Sequence, residues 1–459
     1  MMNRLLILFI PLMLFGQVEV DTVIYPPLPS GHYLLDGFFI PELNKLYIFT
    51  GTISGPSSVI VLDCSTYQYK TEFWWSWGQG QAFFTWNRRR GKFYFTTNGG
   101  PDSTLVIDAV ADTVIQVFRR YNFVYVPCFD RFYGARGETL FVFDGATDSI
   151  IKRIPSPIPP YKFAYTSVDS VNNKIYVVML AFQSPFLVGV FDCAVDSFLK
   201  FIDVSGTFYP PYLMNFNYTY RKAYFVPRSL DGYAGVIDTK NDTVRRYFPI
   251  RVWVGYENPV AVNHTDNKVY IAGTNPQGGP DTLLYVIDCD TDSIVKKVTH
   301  YGYAALYVRW VPWSNRVYFA HYQDTILWVL DCQTDSIIAG LCLGGWAPVD
   351  LQFDPIRQRI FAIGAGYDIN AIYVLRDVVP GVEEKKVEMS GNLSLPTVIR
   401  NVLKWEPVSG HRSSVLLDVS GRKVLDLLPG ANDIRHLAPG VYFVHILSDN
   451  KTRPVVIVK

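Results

Sequence analysis

Charge and cysteine are both scarce in this chain. Charged residues make up 18% of its 459 residues and nearly cancel, leaving a formal net charge of +1. No basic run is longer than Arg88, Arg89 and Arg90, so a nucleic-acid partner is not expected. Six cysteines are too few for a disulfide scaffold. No Cys-x-x-Cys pair supports a zinc or redox site, and none of His32, His264, His300, His321, His411, His436 and His445 stands at a metal-ligand spacing. Metals and cofactors are accordingly not expected. The nucleophile elbow of hydrolases and the phosphate-binding Walker loop are also missing. No apolar run reaches the roughly 18 residues needed to span a bilayer, so no integral membrane segment is expected in the mature chain.

Aromatic and apolar residues are plentiful. Hydrophobic residues reach 49%, with 30 Tyr, 30 Phe and 10 Trp among 33 Gly and 29 Pro, which predicts a folded chain rich in strands and turns. The start, MMNRLLILFIPLMLFGQVEV, places Arg4 before an apolar run from Leu5 to Phe15 and then Gly16. That layout predicts a secretory signal over residues 1–17 and a secreted or cell-surface location.

A repeat organises the chain. VIVLDCSTYQYKTEF, LVIDAVADTVIQVF, LFVFDGATDSIIKRI, VGVFDCAVDSFLKFI, AGVIDTKNDTVRRYF, LYVIDCDTDSIVKKV and WVLDCQTDSIIAGL place their first Asp at 63, 108, 144, 192, 238, 288 and 331. Spacings of 36 to 50 residues suit propeller blades rather than helical repeats. In four copies the next residue is Cys64, Cys193, Cys289 or Cys332, one structural position seen repeatedly and usually beyond disulfide reach. A second signature precedes each copy: NKLYIFTG, GKFYFTTN, NKIYVVML, RKAYFVPR, NKVYIAGT, NRVYFAHY and QRIFAIGA, with DRFYGARG as a weaker member. With an apolar segment before each turn, every unit offers four strands, the pattern of an all-β propeller.

Eight blades are favoured and seven are the alternative, because unit three has a poor strand around Phe132 to Gly134. The last unit lacks its outermost strand, and VEVDTVIYPPLPSG, with Asp21, Thr22 and Val23, supplies one from the N-terminus. The ring is expected to close by that strand, which removes two exposed sheet edges. The propeller should span 18–378, followed by a polar linker at 379–392 and a small immunoglobulin-like antiparallel β-sandwich at 393–459.

The units of the form V-I-D-x-x-x-D-T-V with N-K-V-Y-I resemble the YVTN-type repeats of bacterial and archaeal surface-protein propellers. The segments DVSGRKV, LAPGVYFV and the terminal VVIVK resemble the C-terminal sorting domain of the type IX secretion system. That second resemblance implies passage across an outer membrane and contact with secretion machinery. The chain departs from it by lacking a clear N-P-x start, with Trp405-Glu406-Pro407 in the corresponding region. Neither resemblance implies a reaction.

The recurring pairs Asp108/Asp112, Asp144/Asp148, Asp192/Asp196, Asp238/Asp242, Asp288/Asp292 and Asp331/Asp335 look at first like calcium loops. Each loop offers too few oxygens, and the glycine and closing glutamate of such loops are missing, so they are read as tight turns. These turns and the N-K turns share one edge of the ring, while variable links share the other, where binding usually resides. The links carry Trp74, Trp75 and Trp77, Tyr121 and Phe123, Tyr161 and Phe163, Tyr209 and Tyr212, Trp253 and Tyr256, Tyr301 and Tyr303, and Trp346. Polar neighbours include Asn98, Asp102, Arg228, Asp231, Gln277, Asp281 and Asp368.

Aromatics beside amides and carboxylates suit a glycan, peptide or protein ligand. The candidate ligand set is Trp74, Trp75, Trp77, Tyr121, Tyr209, Tyr212, Trp253, Tyr256, Tyr303 and Trp346. The competing reading makes these rings packing between wedge-shaped blades. The function expected is a binding module rather than an enzyme. Its alternatives are an extracellular hydrolase or lyase with dispersed residues, which buried carboxylates or histidines at the channel mouth would favour, and a structural surface-layer component.

Overall fold

A computed structural model gives the architecture. It describes residues 18–377 except 53–56, 76–81, 98–102, 120, 183–184, 208–210, 228–232, 253–258, 274–280, 302–304, 322–325, 344–347 and 365–369. Beyond them it describes 397–399, 402–405, 414–418, 422–428, 430–438, 440–446 and 451–457. The expected leader and linker lie outside the described residues. Apart from one 3-10 turn at Ser205–Thr207, every described element is a strand. Among these residues no helix is long and apolar enough to cross a membrane.

Eight four-stranded antiparallel sheets follow one another along the chain and form a β-propeller of eight blades. Blade 1 runs His32–Ile40, Lys45–Thr52, Ser57–Asp63 and Gln68–Trp75 from its innermost to its outermost strand, and the next six repeat this order. Blade 3 is complete, because Arg131–Arg136 pairs with strands on both sides and is buried through Phe132, Tyr133, Gly134 and Ala135. Blade 8 takes Pro348–Asp354, Arg359–Gly364 and Ala371–Asp377, then borrows Val18–Ile24 as its outer strand. Arg376 and Asp21 add a 2.9 Å ion pair to that junction.

Burial follows strand position. Every residue of Lys45–Thr52, a second strand, is buried, as expected where both sheet faces are covered by neighbouring blades. The outermost strand Thr113–Arg119 is almost wholly exposed. Packing between blades is strongly aromatic: Tyr94 of blade 2 meets Phe132 of blade 3 with ring centroids 4.2 Å apart, and Tyr121, Phe123 and Phe143 complete that cluster.

The sequence from 382 onward forms a separate compact unit. Its main sheet runs Thr397–Ile399, Lys451–Ile457, Gly440–Ile446, Ser414–Leu417 and Lys423–Leu427, and Val402–Trp405 pairs with Gly430–Asp433 in a second. Leu403, Leu416, Leu427, Ile434, Val444 and Val455 share one core. The expected all-antiparallel order needs one correction, because Thr397–Ile399 lies parallel to Lys451–Ile457.

Candidate functional site

The two edges of the ring are built differently. On one edge lie both kinds of hairpin turn, and both demand left-handed backbone. In the turn between the first two strands that position is Asn44, Gly91, Asp130, Asn173, Arg221, Asn267, Asn315 or Gln358, all with φ between 50 and 65°. In the turn between the third and fourth strands it is Tyr67 or the second Asp of the repeat, with φ between 50 and 59°. Asn and Asp tolerate this region better than other side chains, and Gly91 has no Cβ to clash. A register shift lies beside each of these second turns at the equivalent pair, for example between Val286 and Ile287.

The paired aspartates divide the work. The first caps its own turn: Asp288 Oδ1 accepts the N–H groups of Asp290 and Thr291 at 3.1 and 2.8 Å and the Thr291 hydroxyl at 2.7 Å. Those bonds hold its carboxyl below the usual range, with the Thr291 N–H the main cause. The second Asp is a bolt between blades. Lys222 Nζ and Tyr224 Oη of blade 5 both donate to Asp292 of blade 6, at 2.7 and 3.2 Å. Lys45 and Tyr47 grip Asp112, Lys174 and Tyr176 grip Asp242, and Lys268 and Tyr270 grip Asp335 in the same way. Lys92 with Tyr94 holds Asp148, Arg131 with Tyr133 holds Asp196, and Arg316 bonds Asp377. The Lys and Tyr of the N-K-x-Y signature and the second Asp of the next unit are therefore one motif split between blades. Even the arginine cluster is engaged here, Arg88 with Glu42 and Arg90 with Asp130.

This explains the apparent calcium loops. Their carboxylates are occupied by N–H groups, hydroxyls, ammonium and guanidinium groups. Among the described residues no group of three or more His, Cys, Asp or Glu side chains could hold a metal. His264 instead lies between Tyr218 and Trp310, with ring centroids 6.4 and 5.9 Å away, and burial lowers its pKa. Cys64, Cys193, Cys289 and Cys332 are buried free thiols, and Cys128 and Cys342 are exposed.

The opposite edge carries the variable connections, and the expected ligand residues distribute unevenly over it. Trp74 is 51% exposed at the end of the outermost strand of blade 1, which starts from the hairpin edge and runs away from it. Its ring meets His32 edge-to-face at 5.7 Å. His32 Nδ1 is shielded from solvent and has no hydrogen-bond partner among the described residues, and neither does Glu72 Oε1. Glu72 and Trp74 share a sheet face, two residues apart on one strand. Neither His32 nor Glu72 was singled out as a ligand residue from sequence; only pairing across the four strands brings that histidine to that tryptophan.

Tyr121 is corrected to packing: it is 7% exposed and rests on Phe123, Phe141 and Phe143. Tyr161 and Phe163 are buried too. Trp75 and Tyr212 fall within strands whose side chains at those positions lie outside the described residues, and so do Trp77, Tyr209, Trp253, Tyr256, Tyr303 and Trp346 altogether.

One polar cluster lies on the innermost strands. Asp36 of blade 1, Asp350 and Gln352 of blade 8, and Arg309 of blade 7 converge there. Asp350 is 3% exposed and pairs with Arg309 at 3.2 Å.

No family model matches the chain, and no curated protein matches it. Solved structures do resemble it. Sqt1 of Saccharomyces cerevisiae aligns with a TM-score of 0.58 at 10% identity, over 79% of this chain and 99% of its own. The Dos1 propeller aligns at 0.57 and 12% identity, over 79% and 96%. The dihydro-heme d1 dehydrogenase NirN, in complex with DHE, aligns at 0.54 and 13% identity, over 92% and 80%. At such identities the likeness establishes the β-propeller fold alone.

Proposed function

We propose that this chain is an exported, surface-displayed binding propeller that engages a glycan, peptide or protein through its variable edge, with the C-terminal unit an immunoglobulin-like sorting domain. The observation that carries the binding reading is the asymmetry between edges. On the hairpin edge the repeated Lys, Tyr and Asp groups are spent on neighbouring blades. At the variable edge of blade 1, a half-exposed indole stands beside a histidine nitrogen and on one face with a glutamate oxygen, and both polar atoms lack partners among the described residues. The exposed indole face offers an apolar platform for a glycan, peptide or protein ligand, and the histidine and glutamate behind it hold it in place. The leader-like start and the sorting-domain resemblance support export. The dehydrogenase activity and DHE ligand of NirN belong to that protein.

The pair of partly buried Asp36 and buried Asp350 bears on the hydrolase alternative. Gly37 N–H, Gln352 and Arg309 use the Asp350 oxygens, so the pair is tied into the ring closure, and the binding reading is retained. The test is glycan-array and peptide-panel binding by the full chain, followed by Trp74→Ala and Trp77→Ala. Replacing Trp74 should weaken the captured ligand at least about tenfold, the loss expected of a central aromatic contact. A parent protein that binds nothing on either panel, or a Trp74→Ala variant that binds as tightly, would sink the reading.

A further inference from the structure

At the seam between blades 8 and 1 the inner wall of the ring is stitched by several side chains reaching backbone. The N–H of Leu34, on the innermost strand of blade 1, donates to Asn370 Oδ1 at 3.1 Å, and Asn370 returns a 2.9 Å bond to the His32 carbonyl. Phe39 N–H donates to Gln352 Oε1 at 3.1 Å. Between them, Gly37 N–H is shared by two carboxylates: Asp36 Oδ1 at 2.8 Å and Asp350 Oδ2 at 3.3 Å. Two carboxylates that accept from one N–H have their oxygens side by side. Asp350 also receives Gln352 Nε2 at 2.5 Å and Arg309 Nη2 at 3.2 Å.

The charges facing Asp36 can be counted. Its own strand offers the Gly37 N–H, and blade 8 offers Asp350. Blade 7 offers Arg309, whose guanidinium lies 5.9 Å from the ring centre of fully buried Tyr307. Among the described residues one cation balances one anion, so the second carboxyl has no counter-charge of its own. A like charge this close favours the protonated form of Asp36.

We propose that Asp36 holds a proton against the Asp350 carboxylate across the closing seam, so that the inner wall is tightest with that proton bound and loosens when Asp36 ionises. Burial first, and then the Asp350 charge and hydrogen bond, hold the Asp36 carboxyl well above the usual carboxylate range. The sign follows from linkage. A carboxyl whose folded pKa exceeds its unfolded value, about 4, stabilises the fold fully below that value and loses the contribution as pH rises through the folded pKa. The seam is therefore favoured by acid, the reverse of the turn-capping aspartates.

Asp36→Asn tests it. The amide can donate to Asp350 as the protonated acid does, but it does not titrate. In thermal melts of the full chain from acid to alkaline pH, the melting temperature of the wild type relative to the variant should fall as pH rises. A constant difference at every pH would overturn the proposal. Infrared difference spectra between the wild type and Asp36→Asn give a second check. A protonated carboxyl band present only in the wild type should persist above the usual carboxylate range and vanish in alkali, and its absence would equally overturn the proton on Asp36.

Discussion

The closing seam between blades 8 and 1 and the seven seams before it solve one problem with different chemistry. At an ordinary seam a Lys or Arg and, in six of the seven, a Tyr of one blade donate to an aspartate of the next; at the seam from blade 7 to blade 8 the acceptor is Asp377, where the third strand ends. At the closing seam the roles change together. Tyr67 replaces the acceptor Asp, Phe361 replaces the donor Tyr, and Arg359 Nη1 lies 2.6 Å from the Tyr67 oxygen with its guanidinium 5.6 Å from the ring centre. The inner wall gains the side-chain stitching around Asp36, and the outer wall gains the strand from the N-terminus. Seams made by consecutive blades form with short chain closure; the last one joins residues more than three hundred positions apart and carries the largest closure entropy. Extra contacts sit where that cost is highest.

The largest break in this comparison comes from removing the residues through Ile24. Blade 8 would be left with three strands and an unpaired edge. Denaturant unfolding should lose stability by more than any single substitution causes, while a variant retaining Val18–Ile24 and lacking only earlier residues should unfold like the parent. Next in size is Asp292→Ala. Lys222 and Asp292 are each 4% exposed in their side chains, and removing one member of a buried pair strands the other, at a cost of about 3–5 kcal/mol. Equilibrium denaturation measures it. Removing the exposed pair of Lys423 and Asp426 should change stability little.

Much of this ring was legible in the sequence because the hairpin turns need particular residues at fixed offsets. The Asp positions counted the blades, and Asp21 to Val23 marked the closing strand. The bolts were half legible: the sequence carries Tyr67 where the other copies have a second Asp, and Phe361 where they have the signature Tyr. No residue spacing says that those two oddities touch, because they belong to opposite ends of the repeat array. The variable edge was the hardest part. Tyr121 and Trp74 have the same kind of sequence neighbourhood, yet one is packing and the other is half exposed. Strand alternation does not reveal which ring a neighbouring blade covers.

A pair of substitutions tests whether the closing seam is a matched exchange. Tyr67→Asp alone places a carboxylate opposite Arg359 but meets Phe361, which has no hydroxyl to donate. Phe361→Tyr alone places a buried hydroxyl against Tyr67, with no carboxylate to receive it. Each single change should cost about 1–3 kcal/mol, the usual penalty for an unmet buried polar group. The double variant recreates the bolt of an ordinary seam, with Arg359 and the introduced phenol both donating to the introduced carboxylate. A double-mutant cycle by urea denaturation should then return a favourable coupling of about 0.5–3 kcal/mol, as found for residues in direct contact. Purely additive costs would mean that Tyr67 and Phe361 differ from the other copies independently, and that closure rests on the borrowed strand and the inner stitching alone.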